Sequence, residues 1–215
     1  YWYIVESKRI NGKPIPVILQ YLGTVDNLFN LLQGGSNEFK SYAHGAVAAL
    51  VKIAQKIGIL EIVGQHLPGQ TRDGLRREES LLLAAIHRVI QPGSKRSFAD
   101  WAETTTLPTL IKFNPKEMTS QHFWDQMDGI TEQQLRACED AIISRILGMY
   151  NFEVEKLILD YTNDHSYSAT ANEKNTLCKR GHNKQKRYDL RQYSLAVGTS
   201  KDVLFPLCSY VYEVN

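Results

Sequence analysis

No stretch of this 215-residue chain is apolar for the roughly 20 residues that a membrane-crossing helix needs, so bilayer insertion is not expected. Cysteine is scarce as well. Cys138, Cys178 and Cys208 are odd in number and widely spaced, which argues against a disulfide framework. Cys178 and His182 stand at C-x3-H spacing, but no second pair completes a tetrahedral zinc site, so ordinary reduced cysteines in a cytoplasmic compartment are expected. Internal repeats and low-complexity segments are absent. The chain opens on Tyr1 rather than Met, and no charged-then-apolar leader precedes the first strand pattern; a fragment or processed product is expected. Charge of one sign is not in large excess either. A net charge of +2 does not by itself imply a polyanionic partner.

What is present is an ordinary globular balance, 43% apolar and 22% charged, with length enough for one large or two small cores. The informative property is where the cations lie. Lys174, Lys179, Arg180, Lys184, Lys186, Arg187 and Arg191 fall between Glu173 and Arg191, opposed only by Glu173 and Asp189. Such clustering is either a solvated basic loop or an electrostatic footprint for nucleic acid.

The N-terminal segment alternates, turns at Asn11-Gly12 and alternates again to Gly23. Asn-Gly between β-rich runs is a strong hairpin signal because both central residues of a type I′ turn need positive φ. Pro14 and Pro16 cannot donate to a ladder, so that stretch is expected at an edge. The hairpin reads first as a small two-stranded cap and second as a DNA-contacting element carrying Lys8, Arg9 and Lys13.

From Ala46 to Tyr150 the pattern is helical. Val47, Leu50, Val51, Ala54 and Ile57 repeat at helical spacing until Gly58, and a second amphipathic stretch, Arg76 to Ile90, stops at Pro92-Gly93. Ser97 with Asp100 resembles a capping pair for a short helix bearing Phe98 and Trp101. Helices are expected near Ser120 to Asp128 and Thr131 to Met149. In the last, Thr131 and Gln134 form a capping box and Leu135, Cys138, Ile142, Ile146 and Met149 line one face. Phe123 and Trp124 are both expected in the core. Ser94-Lys95-Arg96-Ser97, ahead of a helix, is a plain cap or a phosphate grip.

After Asn151 the period becomes strand-like, over Glu155 to Thr162, Gln192 to Thr199 and Phe205 to Tyr212, with Ser200 to Val203 as a short link. The expected organisation is α+β: a β-hairpin and linker over residues 1–45, a helical domain over 46–150, and the first strands of an α/β sheet over 151–215. The first of these strands runs Leu157-Ile158-Leu159 and delivers Asp160 at its tip, beside the basic segment. A carboxylate there can hold a divalent cation while the cations hold a polyanion. Taken alone, Asp160 reads first as an Asx-turn closing a strand.

Several segments together resemble the DDE-type insertion-sequence transposases: Asn11-Gly12-Lys13-Pro14 with Tyr21-Leu22-Gly23, Pro92-Gly93-Ser94-Lys95-Arg96, Leu159-Asp160-Tyr161-Thr162-Asn163, the run from Lys179 to Gln192, Pro206-Leu207 and Val211-Tyr212-Glu213. They span nearly the whole chain in the family's order. The resemblance implies an incomplete ribonuclease H-like catalytic domain whose first three strands form an antiparallel meander. It implies Asp160 as the first catalytic and metal-binding carboxylate, acting with Mg²⁺ or Mn²⁺, and a second Asp and a Glu downstream of Asn215. Lys179, Arg180, His182, Lys184, Lys186, Arg187 and Arg191 would anchor DNA at element ends and target, in an enzyme expected to act as a homo-oligomer. The alternative is a non-catalytic DNA-binding or assembly module, domesticated or truncated.

Two metals must sit about 3.5–4 Å apart between converging carboxylates, which tests each internal acid. On the meander, Asp202 falls roughly 17–20 Å from Asp160, at the opposite end. Glu213 falls at the correct end but two strands over, near 10 Å. Asp189, among cations, reads as a salt-bridged acid before a ligand, and Asp164-His165 as a solvated turn pair. The first strand is central in that fold, so the segment ending at Asn215 should leave an apolar edge open.

Overall fold

A computed structural model describes residues 1–10, 12–26, 40–151, 154–167, 175–181, 187–202 and 204–213. The chain divides into two compact units, Tyr1–Tyr42 and Ala43–Asn215. Among the described residues there are five strands and seven α-helices, so the fold is α+β.

The first unit holds β1 (Trp2–Ile10) and β2 (Lys13–Gly23), antiparallel, with Ile10 opposite Lys13. The two-residue connection fits the expected turn. Gly12 sits at φ 78°, the left-handed region that an Asn-Gly turn uses, while Asn11 lies outside the described residues. Pro14 faces Arg9 and Pro16 faces Ser7. A two-stranded ribbon has no interior strand, which is the condition a proline in a strand requires.

The second unit begins with α1 (Gly45–Ile57), α2 (Ile59–His66), α3 (Arg77–Ile90), α4 (Phe98–Glu103), α5 (Leu107–Leu110), α6 (Ser120–Met127) and α7 (Glu132–Tyr150). The periodic residues Val47, Val51, Ala54 and Ile57 are the buried ones of α1. The helix stops at Gly58 because a left-handed residue (φ 81°) turns its N–H back to the carbonyls of Ala54 and Gln55. From α7, the Arg145 guanidinium donates to the Ile57 carbonyl at 3.2 Å, a cation at a helix C-terminus. The main core joins Val47, Val51, Leu83, Ile86, Phe98, Trp101, Leu107, Met118 and Phe123. A smaller cluster packs Ile62, Val63 and Leu67 against Cys138 of α7. No described helix is long and apolar enough to cross a membrane.

Two local expectations are corrected. Ser97 precedes α4 but does not cap it; its hydroxyl donates to the Ser94 carbonyl at 2.9 Å, tightening the preceding 3₁₀ turn instead. Trp124 is 60% exposed while Phe123 is buried. Neighbours on a helix point about 100° apart, so turning Phe123 into the core directs Trp124 outward. The Lys95 ammonium then covers the indole, 4.4 Å from its centroid. The capping box at Thr131 and Gln134 forms as expected, Gln134 N–H donating to the Thr131 hydroxyl and Thr131 N–H to the Gln134 side chain.

The last three strands are β3 (Leu157–Ser166), β4 (Arg191–Ser200) and β5 (Pro206–Glu213), an antiparallel meander with β4 in the middle. On β4 the small or polar side chains Gln192, Ser194, Ala196 and Ser200 are buried, and the bulkier Tyr193, Leu195, Val197 and Thr199 are half-buried. Flanking side chains fold over this small-residue face. At Gly198 an added Cβ would meet the Cys208 sulfur at 2.6 Å and the side chains of Leu157 and Leu159 at 3.3 and 3.4 Å. Gly198→Ala is therefore expected to destabilise the protein by about 1–3 kcal/mol, an overpacking cost. Urea unfolding would measure it, and a stabilised variant would contradict the packing. The sheet is tied to α7 by Arg136, which donates to the Ser209 carbonyl at 2.9 Å and lies 4.0 Å over the Tyr210 ring, while the Ser209 hydroxyl donates to Glu139.

Candidate functional site

Asp160 is not at a strand tip. It is the fourth of ten residues in β3, opposite Val197, and the strand continues through Ser166. The polar residues beyond it stay in the ladder because β4 offers side chains as well as backbone. The Ser194 hydroxyl donates to the Asn163 side chain at 2.8 Å, and the Tyr193 hydroxyl to the Asp164 carboxylate at 3.2 Å. That carboxylate also accepts the His165 N–H at 2.8 Å, so Asp164 and His165 are strand residues rather than a turn.

The register decides which acids could join Asp160. Alternation puts Asp160 and Asp164 on the same face, but four residues along a strand is roughly 13 Å. Asp202 lies beyond the end of β4, five residues past Asp160's partner Val197, roughly 17 Å along the strand, in agreement with its exclusion. Glu213 is opposite Tyr193, hence in line with Asp164 and not with Asp160. Two strands across and four residues along, it is roughly 16 Å from Asp160, farther than expected. Its carboxylate pairs instead with the Lys179 ammonium. Among the described residues no group of three or more His, Cys, Asp or Glu side chains could hold a metal ion. Asp160 alone does not make a two-metal site.

β3 is an edge strand, and Leu157, Ile158, Leu159 and Tyr161 are all exposed. The apolar run that reads as buried in the sequence is therefore exposed among the described residues, an open strand edge.

The basic segment folds back on β4. Lys179 and Gln192 exchange backbone hydrogen bonds at 3.0 and 2.8 Å. Arg191 donates to the carbonyls of Cys178 at 2.6 Å and Asn175 at 2.7 Å, so it fastens the loop to the sheet. Cys178 is buried there, its N–H held by the Asn175 side chain. Arg187 grips Asp189 in a bidentate pair, both bonds 2.8 Å. Arg180 is exposed. His182, Lys184 and Lys186 lie outside the described residues. The seven expected DNA-contacting residues thus divide into one that anchors the loop, two that hold acids at its surface, one exposed arginine and three outside the described residues.

The Arg187 pair has a titration signature. The guanidinium holds the Asp189 carboxyl down to about 2, and the Arg187 pKa rises in return. A depressed carboxylate pKa contributes stability that is complete above the unfolded value near 4 and is lost as pH falls through about 2. Carbon-detected NMR titration should place Asp189 near 2, and near 4 in Arg187→Ala. An unchanged midpoint in that variant would show the pair to be unimportant.

One constellation was not read from the sequence. The His122 ring sits between the Asp73 carboxylate, 2.8 Å from Nδ1, and the Ser80 hydroxyl, 2.9 Å from Nε2. Asp, His and Ser in that order match a nucleophilic relay. Yet Ser80 and His122 are fully buried, and the Ser80 hydroxyl also donates to the Arg76 carbonyl at 3.1 Å. No substrate reaches it, so the relay locks α3, α6 and the turn at Asp73 together. The three residues are 42 and 49 positions apart; the available signal was polar residues on otherwise apolar helix faces.

Comparison with known proteins is negative. No family model, curated protein or solved structure matches the chain.

Proposed function

We propose that this chain is a DNA-binding segment of a DDE-type insertion-sequence transposase, with Asp160 the first carboxylate of its ribonuclease H-like catalytic site. The observation that carries the reading is the juxtaposition on one antiparallel meander: an aspartate on an open apolar edge strand, and a cation-rich loop fastened to the start of the neighbouring strand. In this reading the loop cations grip backbone phosphates without reading bases. The surface pairs Lys179–Glu213 and Arg187–Asp189 are exposed, and exposed pairs are weak enough to exchange a carboxylate for a phosphate. Arg191 keeps its structural role.

A Mg²⁺ or Mn²⁺ ion would need carboxylates that converge with Asp160, and none of the described residues supplies one. No cutting step is assigned to this chain. The alternative form of the reading is a non-catalytic DNA-binding or assembly module, domesticated or truncated.

Both forms are tested on the 215-residue protein. Fluorescence anisotropy with duplex DNA should give affinity that falls steeply with salt, with a log–log slope of about −0.9 per phosphate contacted. Arg180→Ala should make that slope shallower by about 1. Mg²⁺-dependent nicking should be absent. Absent or salt-insensitive binding overturns the proposal. In any form of the protein that cleaves terminal-repeat DNA, cleavage surviving Asp160→Ala overturns the lineage.

A further inference from the structure

Trp124 stands exposed on α6, outside any larger apolar surface of that helix. Residues three and four positions away are a helical residue's surface neighbours, and of these Ser120, Gln121 and Asp128 are polar. A single exposed apolar side chain needs no partner. What sets this one apart is the charge beside it. The Lys95 ammonium lies 4.4 Å over the ring, and Arg96, next in the chain, is exposed. Arg88, exposed on α3, shares with Lys95 the wall of a cavity of about 290 Å³ beside His87. Lys95 thus links an exposed indole to two further exposed cations. The adjacent acid, Asp125, is engaged by Arg72 and by the Gln121 side chain.

An exposed cation–π contact is worth only about two- to fivefold in an equilibrium constant. Lys95 can therefore leave the ring for a phosphate at little cost while the ring takes a base. From this arrangement we infer that Trp124, Lys95 and Arg96 form a stacking platform for an unpaired base of a single-stranded DNA segment. The indole holds the base, and the two cations hold its flanking phosphates. The choice of DNA as the polyanion rests on the nucleic-acid reading above. An unpaired base is required because in a duplex both faces of each base are already stacked. A protein partner is disfavoured, since the core of a protein interface is apolar and poor in charge, whereas this ring has polar neighbours. Asp128 ends α6 and repels phosphate, so the strand's backbone runs on the Lys95 side. Stacking of this kind tolerates any base. The segment Ser94-Lys95-Arg96-Ser97 then grips phosphate through its side chains rather than through a helix terminus, in keeping with Ser97 not capping α4.

The test is fluorescence anisotropy of the 215-residue protein with a labelled single-stranded oligothymidylate and with a duplex of the same length. Trp124→Ala should weaken single-strand binding about tenfold, the loss of one stacked base, and leave duplex affinity within about twofold. Trp124→Phe keeps a ring and should recover most of that loss. The side chain is exposed, so neither substitution empties the core. Lys95→Ala and Arg96→Ala should each make the single-strand log–log salt slope shallower by about 0.7. Tryptophan quenching should accompany single-strand binding in the parent and vanish in Trp124→Phe, although Trp2 and Trp101 remain. Single-strand affinity unchanged in Trp124→Ala, an equal loss on duplex, or no recovery in Trp124→Phe overturns the platform. A dimer that Trp124→Ala dissolves in sedimentation overturns it in favour of a protein contact. Intact duplex binding with no single-strand binding overturns the platform and leaves the basic-loop reading standing. The reverse, Trp124-dependent single-strand binding without duplex binding, overturns the loop as a duplex anchor and supports the platform.

Discussion

Phe98→Ala is expected to destabilise the second unit by about 3–5 kcal/mol. Phe98 has no exposed surface, and four rings surround it: Phe123 at 5.0 Å, His87 at 5.5 Å, Trp101 at 5.7 Å and Phe113 at 6.1 Å between centroids. The contacts with Phe123, Trp101 and His87 are edge-on, the arrangement in which a ring's positive rim meets a negative face. Truncation removes the transfer free energy of a whole ring and leaves a hole. The elements around it, α3, α4 and α6, are held elsewhere by Leu83, Ile86 and Met118 and cannot collapse to fill that hole. Guanidinium unfolding followed by circular dichroism should show a lower midpoint with an unchanged slope. A loss below about 1 kcal/mol would mean that the ring cluster is not the centre of the core.

The second large effect is at His122. Leucine there keeps the volume but removes both hydrogen bonds, and about 2–3 kcal/mol of stability should be lost. The bond to the Asp73 carboxylate is charge-assisted and contributes the greater part. The Ser80 hydroxyl keeps its acceptor at Arg76, which limits the penalty on that side. Asp73 is held at φ 48°, a conformation few residues other than glycine and asparagine adopt readily, so the bond to His122 also fixes a strained turn. Asp73→Asn leaves an acceptor and a residue suited to that φ, and should cost less than His122→Leu. Thermal unfolding of the pair would check the order. A His122→Leu variant within about 0.5 kcal/mol of the parent would show the relay to be incidental.

The way the catalytic-looking carboxylate sits is the main lesson about the site. The sequence showed Asp160 after a short apolar run and therefore at a strand's end. The ladder runs six residues further, because Ser194 and Tyr193 satisfy Asn163 and Asp164 from across the sheet. Those are partners about 30 residues away, and no local pattern announces them. The same register moves Glu213 into line with Asp164 and gives its charge to Lys179. The sequence showed a cluster of cations but not their roles. Arg191 and Arg187 look alike in the sequence, yet one binds two backbone carbonyls and the other a carboxylate.

The positions of α1, α3, α4, α6 and α7, the Gly58 stop, the capping box at Thr131 and the hairpin turn were determined by the sequence itself, whereas α2 and α5 were not read from it. Each rests on contacts between residues at most a few positions apart, where propensity and periodicity act directly. The meander order of the three last strands was expected from the family resemblance, and only β4 and β5 are joined by a short connection of the kind that favours neighbours. Tertiary structure alone decided that Trp124 faces outward, that Asp160 lies within its strand with no converging carboxylate among the described residues, that Asp73, His122 and Ser80 meet, and that a cavity opens beside His87. All four depend on which distant surfaces are brought together. Sequence spacing constrains a side chain's direction on its own element, but not what stands opposite it.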